Sequence, residues 1–110
     1  MTTPRRVLFL CSRNRLRSPT AERVFGVWPQ LEVDSAGLAD DAEVTVSAEQ
    51  LAWADLIVVM EAVHRRWLQM RHRKHLRGKK ILCLDIPDDY GFMQPGLIAL
   101  LLKKAGPLPG

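Results

Sequence analysis

Cys11 and Arg17 are separated by Ser12-Arg13-Asn14-Arg15-Leu16, and Ser18-Pro19 follows directly. A thiol and a guanidinium held in one short loop are the groups that phosphoryl transfer through a covalent cysteine requires. One is a nucleophile; the other is a planar fork able to hold two phosphoryl oxygens at once. Arg13 and Arg15 add charge to the same stretch. The only other thiol, Cys83, stands in an apolar run and reads as inert core. His64, His72 and His75 fall in a basic stretch at spacings that suit a solvated surface better than a metal site.

Something must carry the loop. Residues 7–11, 31–34, 56–60 and 81–84 are apolar runs without clean polar alternation, as expected of strands covered on both faces of a parallel sheet. Helical spacing separates them. Ala21, Val24, Phe25 and Trp28 form one stripe, opened by Ser18-Pro19, with proline at the first helical position. Ser47 and Gln50 read as a capping box for a helix carrying Leu51. Val63, Trp67 and Met70 form a third stripe that turns the arginines of its segment to water, and the tryptophans read as core. Pro95 starts a last helix through residues 97–102, which Gly106-Pro107 ends. Alternating strands and helices predict an α/β fold: a three-layer open sheet of four parallel strands flanked by helices. In such sheets ligands bind beyond the carboxyl ends of strands, where a helix N-terminus attracts anions. Cys11 falls at that point, and thiols beside arginines at a helix start are favoured as thiolates, the form that attacks.

The totals narrow the setting. A chain of 110 residues, 47% hydrophobic and 25% charged, has ordinary globular composition, and a single domain over residues 1–110 is expected. Two cysteines make no disulfide framework, and the two arginines near the N-terminus are followed by only four apolar residues, fewer than the core of a signal peptide or a membrane span is expected to have. A reducing cytoplasm is the expected compartment. The net charge of +4 is unevenly placed, with eight of the sixteen Lys and Arg residues between positions 65 and 80. That run reads first as a solvated helix face.

Val7-Leu8-Phe9-Leu10-Cys11, Asn14 and Arg17-Ser18-Pro19-Thr20-Ala21-Glu22 resemble the N-terminus of the low-molecular-weight protein tyrosine phosphatases. Asp34-Ser35-Ala36-Gly37, Ala54 to Met60, and Ile86-Pro87-Asp88-Asp89-Tyr90 resemble later segments of that family in the same order. The resemblance implies phosphomonoester hydrolysis through a phosphocysteine, with phosphotyrosine on protein as the favoured substrate and no metal or cofactor. It implies Cys11 as nucleophile and Asp88, which follows Pro87, as general acid. Ser12, Arg13, Asn14, Arg15, Leu16, Arg17 and Ser18 form the phosphate cradle. Ser18 steadies the thiolate, and Ser35 supports Asn14. The partner is a phosphorylated protein or a small phosphomonoester; neither a membrane nor nucleic acid is expected.

Departures qualify the resemblance. Arg13 replaces a glycine, so its backbone must avoid positive φ or be strained. Leu16 replaces a second loop cysteine, and little chain lies between Gly37 and Asp55, which predicts a shallow pocket. Competing readings are an ordinary buried cysteine, an arsenate reductase-like redox protein, a phosphocarrier, and a non-hydrolytic anion- or RNA-binding module. The redox reading needs more thiols than Cys83. RNA binding by the basic run needs more stacking aromatics than Trp67.

Overall fold

The computed structural model describes residues 4–105. In chain order it contains β1 (Arg5–Cys11), α1 (Arg17–Phe25), β2 (Leu31–Gly37), α2 (Ala48–Trp53), β3 (Leu56–Val59), α3 (Ala62–Arg71), a 3-10 turn (Arg73–His75), β4 (Lys80–Cys83) and α4 (Pro95–Ala105). The strands form one parallel sheet in the order β2-β1-β3-β4. The chain moves from β1 to one side for β2, then returns to the other side for β3. That reversal opens a crevice at the carboxyl end of β1.

Side-chain alternation explains the three layers. Successive strand residues face opposite sides. Val7, Phe9 and Cys11 pack with Ala21 and Phe25 of α1 and with Leu97 and Leu101 of α4. Leu8 and Leu10 pack on the opposite face with Leu51 of α2 and Leu68 of α3. Both faces of β1 are thus covered, which accounts for the unbroken apolar run in its sequence. The predicted four-stranded, three-layer α/β architecture is the one observed.

Element ends differ in detail. β2 runs on to Gly37, beyond residue 34, and β4 covers Lys80–Cys83 with Leu84 buried just past it. α1 begins at Arg17, so Pro19 is its third residue; the first four N–H groups of a helix have no intrahelical acceptor, so proline is equally harmless there. The Ser47–Gln50 capping box is present, each backbone N–H donating to the other side chain at 3.1 Å. The expected end of α4 at Gly106-Pro107 lies outside the described residues.

α3 corrects the sequence reading. Val63 and Met70 are exposed, Trp67 is half-buried, and the buried positions are His64 and Leu68. The helix is therefore turned by about one residue from the Val63–Trp67–Met70 stripe. His64 is fully buried, which overturns its surface assignment; the physical reason is a pair of hydrogen bonds described below. Cys83 is corrected too: β4 is an edge strand, so its thiol is half-buried. The tryptophans are likewise half-buried at the margins of the two clusters.

Candidate active site

The loop between β1 and α1 is held by its carbonyl groups. Cys11 O accepts from Leu38 N at 3.0 Å, Ser12 O from Ala39 N at 2.8 Å, and Arg13 O from Glu43 N at 3.0 Å. Among the described residues, no backbone N–H from Ser12 to Ser18 donates to a protein acceptor. The shortened segment after Gly37 thus ties down the acceptors of the loop and leaves its donors for an anion. Close approach at Gly37 makes this possible: a Cβ there would lie 2.7 Å from Ser12 O and 2.5 Å from Ala42 Cβ. Asn14 takes the one positive φ in the loop, 57°, a conformation asparagine tolerates. Arg13 avoids it, so the loss of glycine at that position brings no left-handed strain.

Asn14 is also the hub of a buried network. Its amide donates to Ser35 Oγ at 2.9 Å and to Ser18 Oγ at 3.1 Å. Ser35 donates in turn to the Glu22 carboxylate. Ser18 Oγ lies 2.9 Å from Cys11 Sγ, with Ala36 O a more distant alternative at 3.4 Å. Ser18 Oγ accepts one amide hydrogen of Asn14, and its own hydroxyl hydrogen has the sulfur and Ala36 O as acceptors within reach. Cys11, Asn14, Ser18 and Ser35 are therefore brought together in one cluster. Glu22, which anchors the far end, was not singled out beforehand; its place in the Ser-Pro-Thr-Ala-Glu run was the available signal.

Arg17 is only 2% exposed, an uncommon place for a guanidinium unless it is partnered. Its Nη1 donates to Glu61 Oε2 at 2.6 Å and to Ile86 O at 2.7 Å, and its Nε faces Asp88 Oδ1 at 3.7 Å. Glu61 follows β3 at the same sheet end as Cys11, which is why it can reach. Glu61 is in turn fixed by His64, whose Nδ1 accepts from the Glu61 backbone N–H at 3.1 Å. That bond leaves the proton on Nε2, which donates to Ser12 Oγ at 3.1 Å. Both ring nitrogens are satisfied, so a histidine can occupy a core position. Neither Glu61 nor His64 was anticipated as part of the site. Their position directly after a buried strand, at i and i+3, was the only clue.

Burial, reinforced by the Arg17 charge and only partly offset by Glu61 and Asp88, pushes His64 from 6.5 down to about 4. The folded value lies below the unfolded one, so between them the unfolded chain binds more protons. Stability therefore falls as pH drops from about 6.5 toward 4 and levels below that. The shift corresponds to roughly 3 kcal/mol. Urea unfolding at pH 7 and pH 4.5 should show wild type losing about 2–3 kcal/mol more than His64→Gln. Equal losses in the two proteins would contradict this assignment.

Cys11, Ser12, Arg13, Arg15, Leu16, Arg17 and Asp88 line a cavity of about 510 Å³. Asp88 stands at its mouth with an exposed side chain, while Asp89 is absent from the lining. The acid-bearing loop is tied to α1 through Met93 N–H, which donates to Thr20 Oγ1 at 2.9 Å. Arg13 and Arg15 are more than half exposed and pair with Asp41 at 3.6 Å and Glu43 at 3.5 Å. Those pairs attach the rim to the same segment that holds the loop carbonyls. No aromatic residue lines the cavity: Tyr90 packs against the α1/α4 core, and Phe92 lies beside Pro19 and Arg23 in a separate depression. Burial raises the Cys83 thiol above its ordinary value, and its Sγ contacts Asp85 Oδ1 at 3.4 Å.

No protein-family model and no curated relative matches the chain. Solved structures do. Wzb from Vibrio vulnificus, in complex with benzylphosphonate, is 25% identical over 93% of this chain and 94% of its own, with a TM-score of 0.76. The tyrosine phosphatase AmsI of Erwinia amylovora is 23% identical over 96% and 91%, with a TM-score of 0.75. The arginine phosphatase YwlE of Geobacillus stearothermophilus is 23% identical over 94% of each chain, with a TM-score of 0.70. The chain thus has the fold of the low-molecular-weight protein tyrosine phosphatases.

Proposed function

We propose that this chain, built on the low-molecular-weight phosphatase fold, is a cysteine-dependent phosphomonoester hydrolase that acts on aryl phosphates, with protein phosphotyrosine as the favoured class. The observation that carries the reading is the loop itself: a thiol 2.9 Å from a serine hydroxyl, beneath a row of uncommitted N–H groups and a buried arginine. In this reading the Cys11 thiolate attacks phosphorus and the P–O bond to the leaving group breaks. Asp88 gives its proton to the departing oxygen. Arg17 and the loop N–H groups hold the equatorial oxygens, where charge must be stabilised in the transition state. Water, deprotonated by Asp88, then attacks the phosphocysteine, and the sulfur leaves as a thiolate steadied by Ser18. In this reading the proton and oxyanion roles fall to Asp88, Arg17 and the loop N–H groups.

Sheet geometry weighs against the redox alternative. Cys83 is in register with Val59, which is in register with Leu10, the residue before Cys11. Two strand spacings separate those positions by about 10 Å, beyond the roughly 7 Å that a disulfide bridges.

The acid assignment has its own test. Asp88→Ala should lower kcat by about 100-fold or more on phenyl phosphate, a poor leaving group, and much less on p-nitrophenyl phosphate. Asp89→Ala should change both little. A silent Asp88→Ala beside a crippled Asp89→Ala would move the role to the neighbouring residue.

A further inference from the structure

A cavity larger than the one at Cys11 lies away from it. It has a volume of about 1270 Å³, and its lining comes from the end of α3, the 3-10 turn and the start of β4. These elements meet at the amino ends of β3 and β4, the opposite end of the sheet from the loop. α3 joins the two places: Glu61 and His64 serve the loop at its beginning, and Arg71 lines the far groove at its end. Ten helical residues span about 15 Å.

The charge here is one-sided. Residues 62–84 carry eight of the sixteen Lys and Arg and none of the twelve Asp and Glu, so the rest of the chain is net acidic. A solvated helix face ordinarily mixes both signs; this one does not. Arg66, Arg73, Lys74 and Arg77 line the groove and form no ion pair among the described residues. The lining also has an apolar component. Met70 is 85% exposed, and Leu76 and Ile81 are half-buried beside it.

We infer that this groove docks an acidic segment of a partner protein, one that carries apolar side chains among its carboxylates. Arginine and methionine are the residues enriched where proteins meet, and four unpaired cations around an apolar patch match a segment of that composition. A nucleic acid fits less well. The stacking surface it would use is Trp67, and the Arg71 guanidinium already covers that ring at 4.8 Å from its centroid. An anionic membrane calls for a broad apolar face, and here the exposed apolar group among the cations is Met70 alone. The surface is separate from the phosphate cradle, so docking there leaves the chemistry at Cys11 free to proceed.

The test is fluorescence anisotropy with a labelled fifteen-residue peptide of alternating Glu and Leu, at low salt and at 0.3 M NaCl. A Glu/Gly peptide, a single-stranded oligonucleotide of similar charge and phosphatidylserine vesicles serve as comparators. The Glu/Leu peptide should bind tightest, at least about tenfold better than Glu/Gly, and weaken as salt screens the cations. The triple variant Arg66→Glu, Arg73→Glu, Arg77→Glu should lose at least about tenfold, and Met70→Ser severalfold. Cys11→Ser should bind as wild type, and the triple variant should retain wild-type p-nitrophenyl phosphate turnover, which separates this surface from the proposed activity. Tighter binding of oligonucleotide or vesicle, or peptide binding indifferent to the triple variant, overturns the inference.

Discussion

Cys11→Ser is expected to lower p-nitrophenyl phosphate hydrolysis by at least about 10⁴-fold while vanadate and inorganic phosphate still bind within a few-fold of wild type. The two halves of the expectation come from different parts of the loop. Hydrolysis depends on a thiolate, and a serine hydroxyl in the same position stays protonated and attacks poorly. Anion binding depends on the N–H groups of the loop, which are left free because Leu38, Ala39 and Glu43 hold the loop carbonyls. None of those bonds involves the sulfur. Rapid acid quenching should trap phosphorus on wild-type protein and none on the variant. Phosphate release by Cys11→Ser at even a hundredth of the wild-type rate would remove the cysteine mechanism from consideration.

Arg17→Lys should be nearly as damaging, with kcat/KM reduced by roughly 10²–10³-fold. Lysine keeps the charge and can still meet Glu61. It lacks the planar set of donors with which Arg17 reaches Glu61 and Ile86 O from one nitrogen and faces Asp88 from another. Most of the loss should appear in kcat, because the fork is required where charge builds up on the phosphoryl oxygens. Glu61→Gln provides the comparison. It keeps a hydrogen-bond acceptor beside Arg17 and removes the opposing charge, so it should bind phosphate at least as tightly as wild type while turnover falls modestly. If Arg17→Lys stays within tenfold of wild type, the guanidinium is not the oxyanion clamp proposed here.

Much of this site could be read from the sequence, and the reasons are local. A buried strand, a short loop and a helix start are contiguous, so Cys11, Asn14, Arg17 and Ser18 needed no tertiary information to be grouped. The alternation of runs and stripes was enough for four parallel strands and their covering layers. What escaped depended on contacts across elements. Glu61 and His64 follow the third strand, and only the strand order places that strand beside β1. A histidine among arginines gives no hint that two hydrogen bonds make it a core residue. The phase of α3 is hidden for the same reason, since Val63 and Met70 are more apolar than the histidine that faces inward in their place. The apolar run around Cys83 does not reveal that its strand is the sheet edge.

The fixed posture of Arg17 has a thermodynamic consequence. A free arginine side chain carries about 2 kcal/mol of rotamer entropy, which a flexible site surrenders each time it closes on its ligand. Here two groups of the protein itself, Glu61 and Ile86 O, hold the side chain, so that ordering falls on folding, once. Oxyanion binding to the wild-type loop should therefore show a smaller entropic penalty by calorimetry than binding to a Glu61→Ala loop, in which the arginine must find its place anew at every encounter.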